Sequence, residues 1–150
     1  MLDFRTVPFD STVAMTLVEE VQAEYVIRYG GPDETPLDPG EFAPPQGIFV
    51  VGWEGEEVLG CGGVRLITTH VAELKRMYVR PRARRRGVAR KLLQQLEHEA
   101  AALGAKELRL ETGSKQPEAI ALYRSAGYVD TEPFGHYAES PLAFHLAKSL

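Results

Sequence analysis

The chain has one cysteine, Cys61, in 150 residues, so no internal disulfide can form and a disulfide-stapled scaffold is excluded. It has no apolar run near the roughly 20 residues that a membrane helix needs, and no basic start followed by an apolar core of the kind that directs export. A protein without a membrane partner, in the reducing cytoplasm, is expected. Positive charge is also scarce: 17 Lys and Arg against 21 Asp and Glu give a net charge of −4, which disfavours general attraction to nucleic acid or anionic lipid. No Gly-Lys-Ser or Gly-Lys-Thr closes a phosphate loop, and the three-glycine spacing of a dinucleotide-binding turn is missing. No metal is expected.

What is present is the composition of one domain spanning residues 1–150, with 44% hydrophobic and 25% charged residues. A chain of this length buries roughly two-thirds of its unfolded surface and needs no staple. Phe4 to Phe9 alternates as a first strand that Pro8 ends. Asp10 or Ser11 then caps a helix running to about Tyr29, with Val13, Leu17, Val18, Val21, Tyr25 and Ile27 as its apolar face. Between Tyr29 and Gly47, five prolines forbid regular structure over most of the segment. Ile48–Val51 and Val58–Val64 flank a turn around Gly55, and Gly62-Gly63 within the second strand implies close backbone approach.

In the next strand, Glu73 to Val79, Leu74 is out of phase with Met77 and Val79; either a bulge inserts one residue or both faces are buried. Val88, Leu92, Leu96, Ala100 and Leu103 trace the clearest helical stripe, stopped by Gly104. Leu108 to Thr112 reads as a strand, Pro117 to Ala126 as a short helix, and Tyr128-Val129 with Leu142 to Leu146 as the last strands. This order predicts an α/β (α+β) layer structure around a mixed sheet.

The chemistry concentrates in Arg84-Arg85-Arg86-Gly87-Val88-Ala89, which leaves a strand and enters the best helix. Cations at a helix start oppose the macrodipole, while free amides behind a glycine and guanidinium groups around them suit a diphosphate. Gly87 lets a ligand approach the main chain.

This hexapeptide resembles the Arg/Gln-x-x-Gly-x-Gly/Ala signature of the GNAT superfamily of N-acetyltransferases. Glu73-Leu74-Lys75-Arg76-Met77-Tyr78-Val79 is similar to that family's bulged fourth strand, and Ala119 to Tyr128 to its late helix and following turn. The resemblance implies a mostly antiparallel central sheet with flanking helices, whose strands splay to admit acetyl-coenzyme A. It implies coenzyme contacts at Met77, Val79, Arg84, Arg85, Arg86, Gly87, Val88, Ala89, Gln116 and Tyr123, with Gln116 standing where the family usually has Asn. It further implies direct transfer of acetyl to an amine in a ternary complex, with Tyr123 as the acid for the leaving thiolate.

For the base, Glu73 is the first candidate and Glu111 the second; His136 and His145, of the residue type whose ordinary range spans neutrality, lie in the tail and are read as surface or packed side chains. Cys61 is read as a small buried residue. The acceptor is expected to be a small amine, drawn by Asp33, Glu34, Asp38 and Glu41 and held by Tyr29, Phe42, Phe134 and Tyr137. A protein lysine or N-terminus is an alternative acceptor, a coenzyme-binding sensor is an alternative function, and a monomer or homodimer is expected.

Overall fold

The computed structural model describes residues 1–150. Strand β1 (Leu2–Thr6) starts two residues earlier and ends three residues earlier than the Phe4–Phe9 span that the alternation predicts, although the Val7 amide still donates to the Phe49 carbonyl. Ser11 then caps helix α1 (Thr12–Tyr29) by accepting from the Ala14 amide, and Gly30, at φ 82°, ends it in the left-handed conformation. The buried stripe of α1 is Ala14, Leu17 and Val21; Ile27, assigned to that stripe from spacing, is 84% exposed, since at 3.6 residues per turn it lies about 120° around the helix from Val21.

Strands β2 (Gly47–Glu54) and β3 (Glu57–Leu66) form the expected hairpin, turning at Gly55 with φ 62°. Strand β4 (Val71–Val79) follows, then helix α2 (Val88–Ala102), strand β5 (Glu107–Gly113) and helix α3 (Pro117–Ser125). Short β6 (Val129–Asp130) and β7 (Ala143–Ser149) complete one sheet in the order β1-β2-β3-β4-β5-β7-β6. Every neighbouring pair is antiparallel except β4 and β5, so the mixed, mostly antiparallel sheet expected from the sequence is the one observed.

Helix α1 packs on one face, where Leu17 and Val21 join Phe42, Phe49, Val51 and Tyr78. Helix α2 covers the other with Val88, Leu92, Leu93, Leu96 and Ala100. The Gly62-Gly63 pair explains how both layers come so close. A Cβ on Gly62 would lie 2.6 Å from Leu96 Cδ1, and one on Gly63 2.7 Å from the Phe42 ring. The long segment after α1 is therefore only partly loop. A 3-10 turn at Pro39–Phe42, closed by reciprocal Asp38 and Glu41 caps, drives Phe42 into the core at 2% exposure.

Candidate active site

The two parallel strands part company early. β4 and β5 are in register only at Val71–Glu107, Ala72–Leu108 and Glu73–Arg109. Beyond Glu73 the main chain of β4 has no strand partner on that side, and a cavity of about 350 Å³ opens, walled by Leu74 to Met77 on β4 and Leu110 to Gly113 on β5. A bulge re-aims β4 at this point. Cys61 faces Tyr78 and Gly63 faces Lys75, so Gly62 alone opposes both Arg76 and Met77. Arg76 takes φ 57° to make the extra step. The phase slip between Leu74 and Met77 is thus an inserted residue.

At the start of α2 the backbone is arranged for anion binding. Arg85 and Gly87 have φ 63° and 76°, Gly87 caps the helix with no side-chain acceptor, and the first turn holds no acidic residue. The amides of Val88, Ala89 and Arg90 have no acceptor within the helix, and those of Arg85, Arg86 and Gly87 make no intramolecular hydrogen bond. Consecutive amides around left-handed residues form a concave nest for phosphate oxygens. The Val88 side chain is buried in the core, so only its main chain is available. Two of the arginines are already engaged. Arg84 donates to Glu24 at 2.6 Å and to the Val79 carbonyl at 2.9 Å, and Arg86 donates to Glu54 at 2.9 Å. These pairs are exposed and weak; they offset part of the unfavourable charge order without closing the nest. The groups present fit a diphosphate.

Deeper in the notch, Tyr123 on α3 is 8% exposed, and the partner of its hydroxyl is the Met77 sulfur at 3.8 Å. Burial raises its pKa and keeps the phenol protonated. Its ring also packs edge-on against Tyr128 with centroids 5.8 Å apart. Gln116, just before α3, donates from Nε2 to the Tyr29 hydroxyl at 3.1 Å, and both residues line the cavity.

The two candidate bases lie in different surroundings. Glu73 accepts from Arg65 at 3.0 Å and does not line the cavity. Glu111 does line it. Its side chain is 9% exposed, and its Oε1 lies 3.8 Å from Lys75 Nζ. Its Oε2 has no hydrogen-bond partner. Burial pushes its pKa up to about 7 against the pull of Lys75, with Glu73 and Asp33 adding to the rise. Across the β5–β7 register sits His145, whose Nδ1 is 3.9 Å from that Oε2. Neither ring nitrogen of His145 reaches a hydrogen-bond partner. Burial lowers its pKa, with the main chain at Tyr137 acting in the opposite direction.

Several sequence expectations for the acceptor region need correction. Phe42 belongs to the core, stacked on Phe9 at 4.7 Å, and Phe134 packs against His145 at 5.3 Å outside the cavity wall. Tyr29 and Tyr137 do line the cavity. His136 lies exposed beside Tyr137. Of the loop acids, Asp38 and Glu41 cap the 3-10 turn, and Glu41 also pairs with Arg65 at 3.0 Å. Asp33 is bound by Lys75 and Arg76. Burial alone would raise the Asp33 carboxyl, but these two cations and Thr35 hold it well below the usual carboxylate range. Cys61 is fully buried with its thiol pKa raised by burial, donating to the Arg76 carbonyl at 3.4 Å. The network of Asp33, Lys75 and Arg76 escapes sequence reasoning; its one local signal is two adjacent cations inside a strand that is otherwise apolar apart from Glu73.

No group of three or more His, Cys, Asp or Glu side chains could hold a metal, and no helix is long and apolar enough to cross a membrane. Residues 14–128 match the family model described as the acetyltransferase (GNAT) family. A protein of Azospirillum brasilense named IAA acetyltransferase is 38% identical over 135 residues, covering 89% of this chain and 88% of that one. A Klebsiella pneumoniae structure described provisionally as an acyl-CoA N-acyltransferase superposes with a TM-score of 0.84 at 29% identity, covering 100% of this chain and 98% of its own. A GNAT acetyltransferase of Elizabethkingia anophelis, solved with acetyl-CoA bound, has the same fold, with a TM-score of 0.69 at 15% identity over 99% and 98% of the two chains. On the strength of its motifs, its splayed sheet and these likenesses, the chain belongs to the GNAT family of acetyltransferases and is an acetyl-transferring acyltransferase.

Proposed function

We propose that the protein transfers an acetyl group from acetyl-coenzyme A to the primary amine of a small metabolite, by direct attack within a ternary complex. The observation that carries this reading is that Glu111 and Tyr123 line the same cavity between the splayed strands. One is a buried carboxylate whose pKa is shifted to about 7, and the other a buried phenol. Bound coenzyme supplies the activated acetyl thioester. The amides from Arg85 to Ala89 hold its diphosphate, and the unpaired edge of β4 around Met77 and Val79 positions the arm that reaches the notch.

Glu111 takes a proton from the acceptor's ammonium, and the neutral amine so formed attacks the thioester carbonyl. A carboxylate with pKa near 7 is ionised often enough to accept it and basic enough to compete for it. Tyr123, kept protonated by burial, donates to the departing sulfur beside Met77. Glu73, paired with Arg65 and outside the cavity wall, adds negative charge near Glu111 and so favours its protonated form. The cavity lies between β4, β5, α3 and the segment after α1, a half-enclosed volume suited to a metabolite rather than a folded protein surface.

The test is release of free coenzyme thiol from acetyl-coenzyme A in the presence of a panel of small amines. Amine-dependent release, with the acetylated amine recovered, is the expected result. Coenzyme binding without amine-dependent release would favour the sensor reading instead.

A further inference from the structure

Charge pairing around the cavity is uneven: Lys75 and Arg76 line it together with Asp33, Glu34 and Glu111, yet Arg76 pairs with only one of the three acids. Arg76 occupies the β4 bulge in the left-handed conformation, at φ 57°, which a non-glycine residue adopts only at a cost. It is 6% exposed and lines the cavity, and its Nε has no hydrogen-bond partner. Its Nη1 donates to Asp33 Oδ2, but the same oxygen also accepts from Lys75 Nζ at 3.3 Å. One carboxylate therefore serves two buried cations. Lys75 has a second acid, Glu111 at 3.8 Å; Arg76 has none. The other nearby acids are Glu73 and Glu41, both paired with Arg65, and Glu34, which is exposed at the cavity rim.

Resting on the reading of this cavity as the acceptor site, we infer that the acceptor carries a carboxylate as well as its amine, as an α-amino acid does, and that Arg76 binds that carboxylate. A guanidinium matches a carboxylate in plane and offers paired donors, and at a side chain as buried as Arg76 such a contact discriminates against an uncharged analogue. The amine end then lies toward Glu111, which the Asp33 and Lys75 contacts place beside Arg76. Tyr25, Tyr29, Tyr137 and Leu142 supply apolar surface for the remainder of the acceptor.

The experiment compares the common amino acids with their amides and their decarboxylated amines. Each is titrated calorimetrically into protein saturated with coenzyme A, and each is assayed for thiol release with acetyl-coenzyme A. The wild type is expected to favour at least one acid over its amide and its amine by about tenfold or more in Kd. Arg76→Gln is expected to bring that ratio within about threefold, and Arg76→Lys to keep part of it. If no acid is preferred by the wild type, the inference is overturned. It is equally overturned if Arg76→Gln weakens all three forms alike, since a residue that merely fastens the segment after α1 would leave the ratio unmoved. Should Arg76→Gln fail to fold, the wild-type ratio and Arg76→Lys decide. Preferential binding of the acid without thiol release would defeat the catalytic reading while leaving the carboxylate subsite standing.

Discussion

The mouth of α2 and the base of the notch are both rich in charge, and they use it in opposite ways. At the helix mouth the arginine side chains lie in solvent, with Arg84 and Arg86 40% and 43% exposed and paired to Glu24 and Glu54. Such charges are screened and rearrange easily. The specific element there is the backbone, fixed by the left-handed residues Arg85 and Gly87. In the notch the side chains of Lys75 and Arg76 are 4% exposed, and they share Asp33. Low local dielectric makes each of those contacts consequential. Under the proposed function, the first arrangement suits a large, flexible polyanion and the second the movement of a proton.

The largest expected effect is at the notch. Glu111→Gln should lower turnover by about 100-fold or more, the usual range for loss of a general base, with coenzyme affinity measured calorimetrically little changed. The same variant should be more stable than the wild type at neutral pH. Burial holds the folded pKa near 7, above the ordinary 4.5, so ionising Glu111 costs folding energy progressively as pH rises from about 4.5 to about 7. The variant's advantage, on the order of 1–3 kcal/mol above pH 7, should vanish below pH 4.5 in denaturant titrations. Next is Gly87→Glu, which sets a carboxylate at the nest. A Cβ there meets nothing within 4 Å, so the fold should survive at a cost of about 1 kcal/mol for the positive φ, while coenzyme affinity falls by about tenfold or more.

Tyr123→Phe should reduce kcat by about tenfold with a smaller change in coenzyme affinity. Stability should move by less than about 1 kcal/mol, because the hydroxyl lost has only the Met77 sulfur as partner. Equal losses in kcat and affinity would make it a packing residue. The smallest effect is Arg86→Ala at the exposed pair with Glu54, expected within about 0.5 kcal/mol in thermal unfolding. A large loss there would erase the contrast between the two regions.

What the sequence made legible was local. The α2 stripe, the glycine-bounded helix mouth and the bulge each leave a pattern within a dozen residues, and each is found where that pattern puts it. The crossing of Gly62 and Gly63 by Leu96 and Phe42 was legible as close approach, but not as to what approaches. The electrostatics of the acceptor end were illegible. Asp33 meets Arg76 across 43 positions of sequence, and only the fold reveals that an acid in a proline-rich stretch is consumed by two cations of a strand. Likewise the neighbours that separate Glu111 from Glu73, namely His145 and Arg65, arrive through strand register. Composition had no means of ranking the two acids.

The most direct measurement is the pH dependence of kcat/KM for wild type and Glu111→Gln with a productive amine. The wild-type profile should rise through an inflection near pH 7, where burial sets the Glu111 pKa, and the inflection should be absent from the variant. An inflection that persists unchanged in Glu111→Gln would contradict the assignment and move the proton acceptor to another residue.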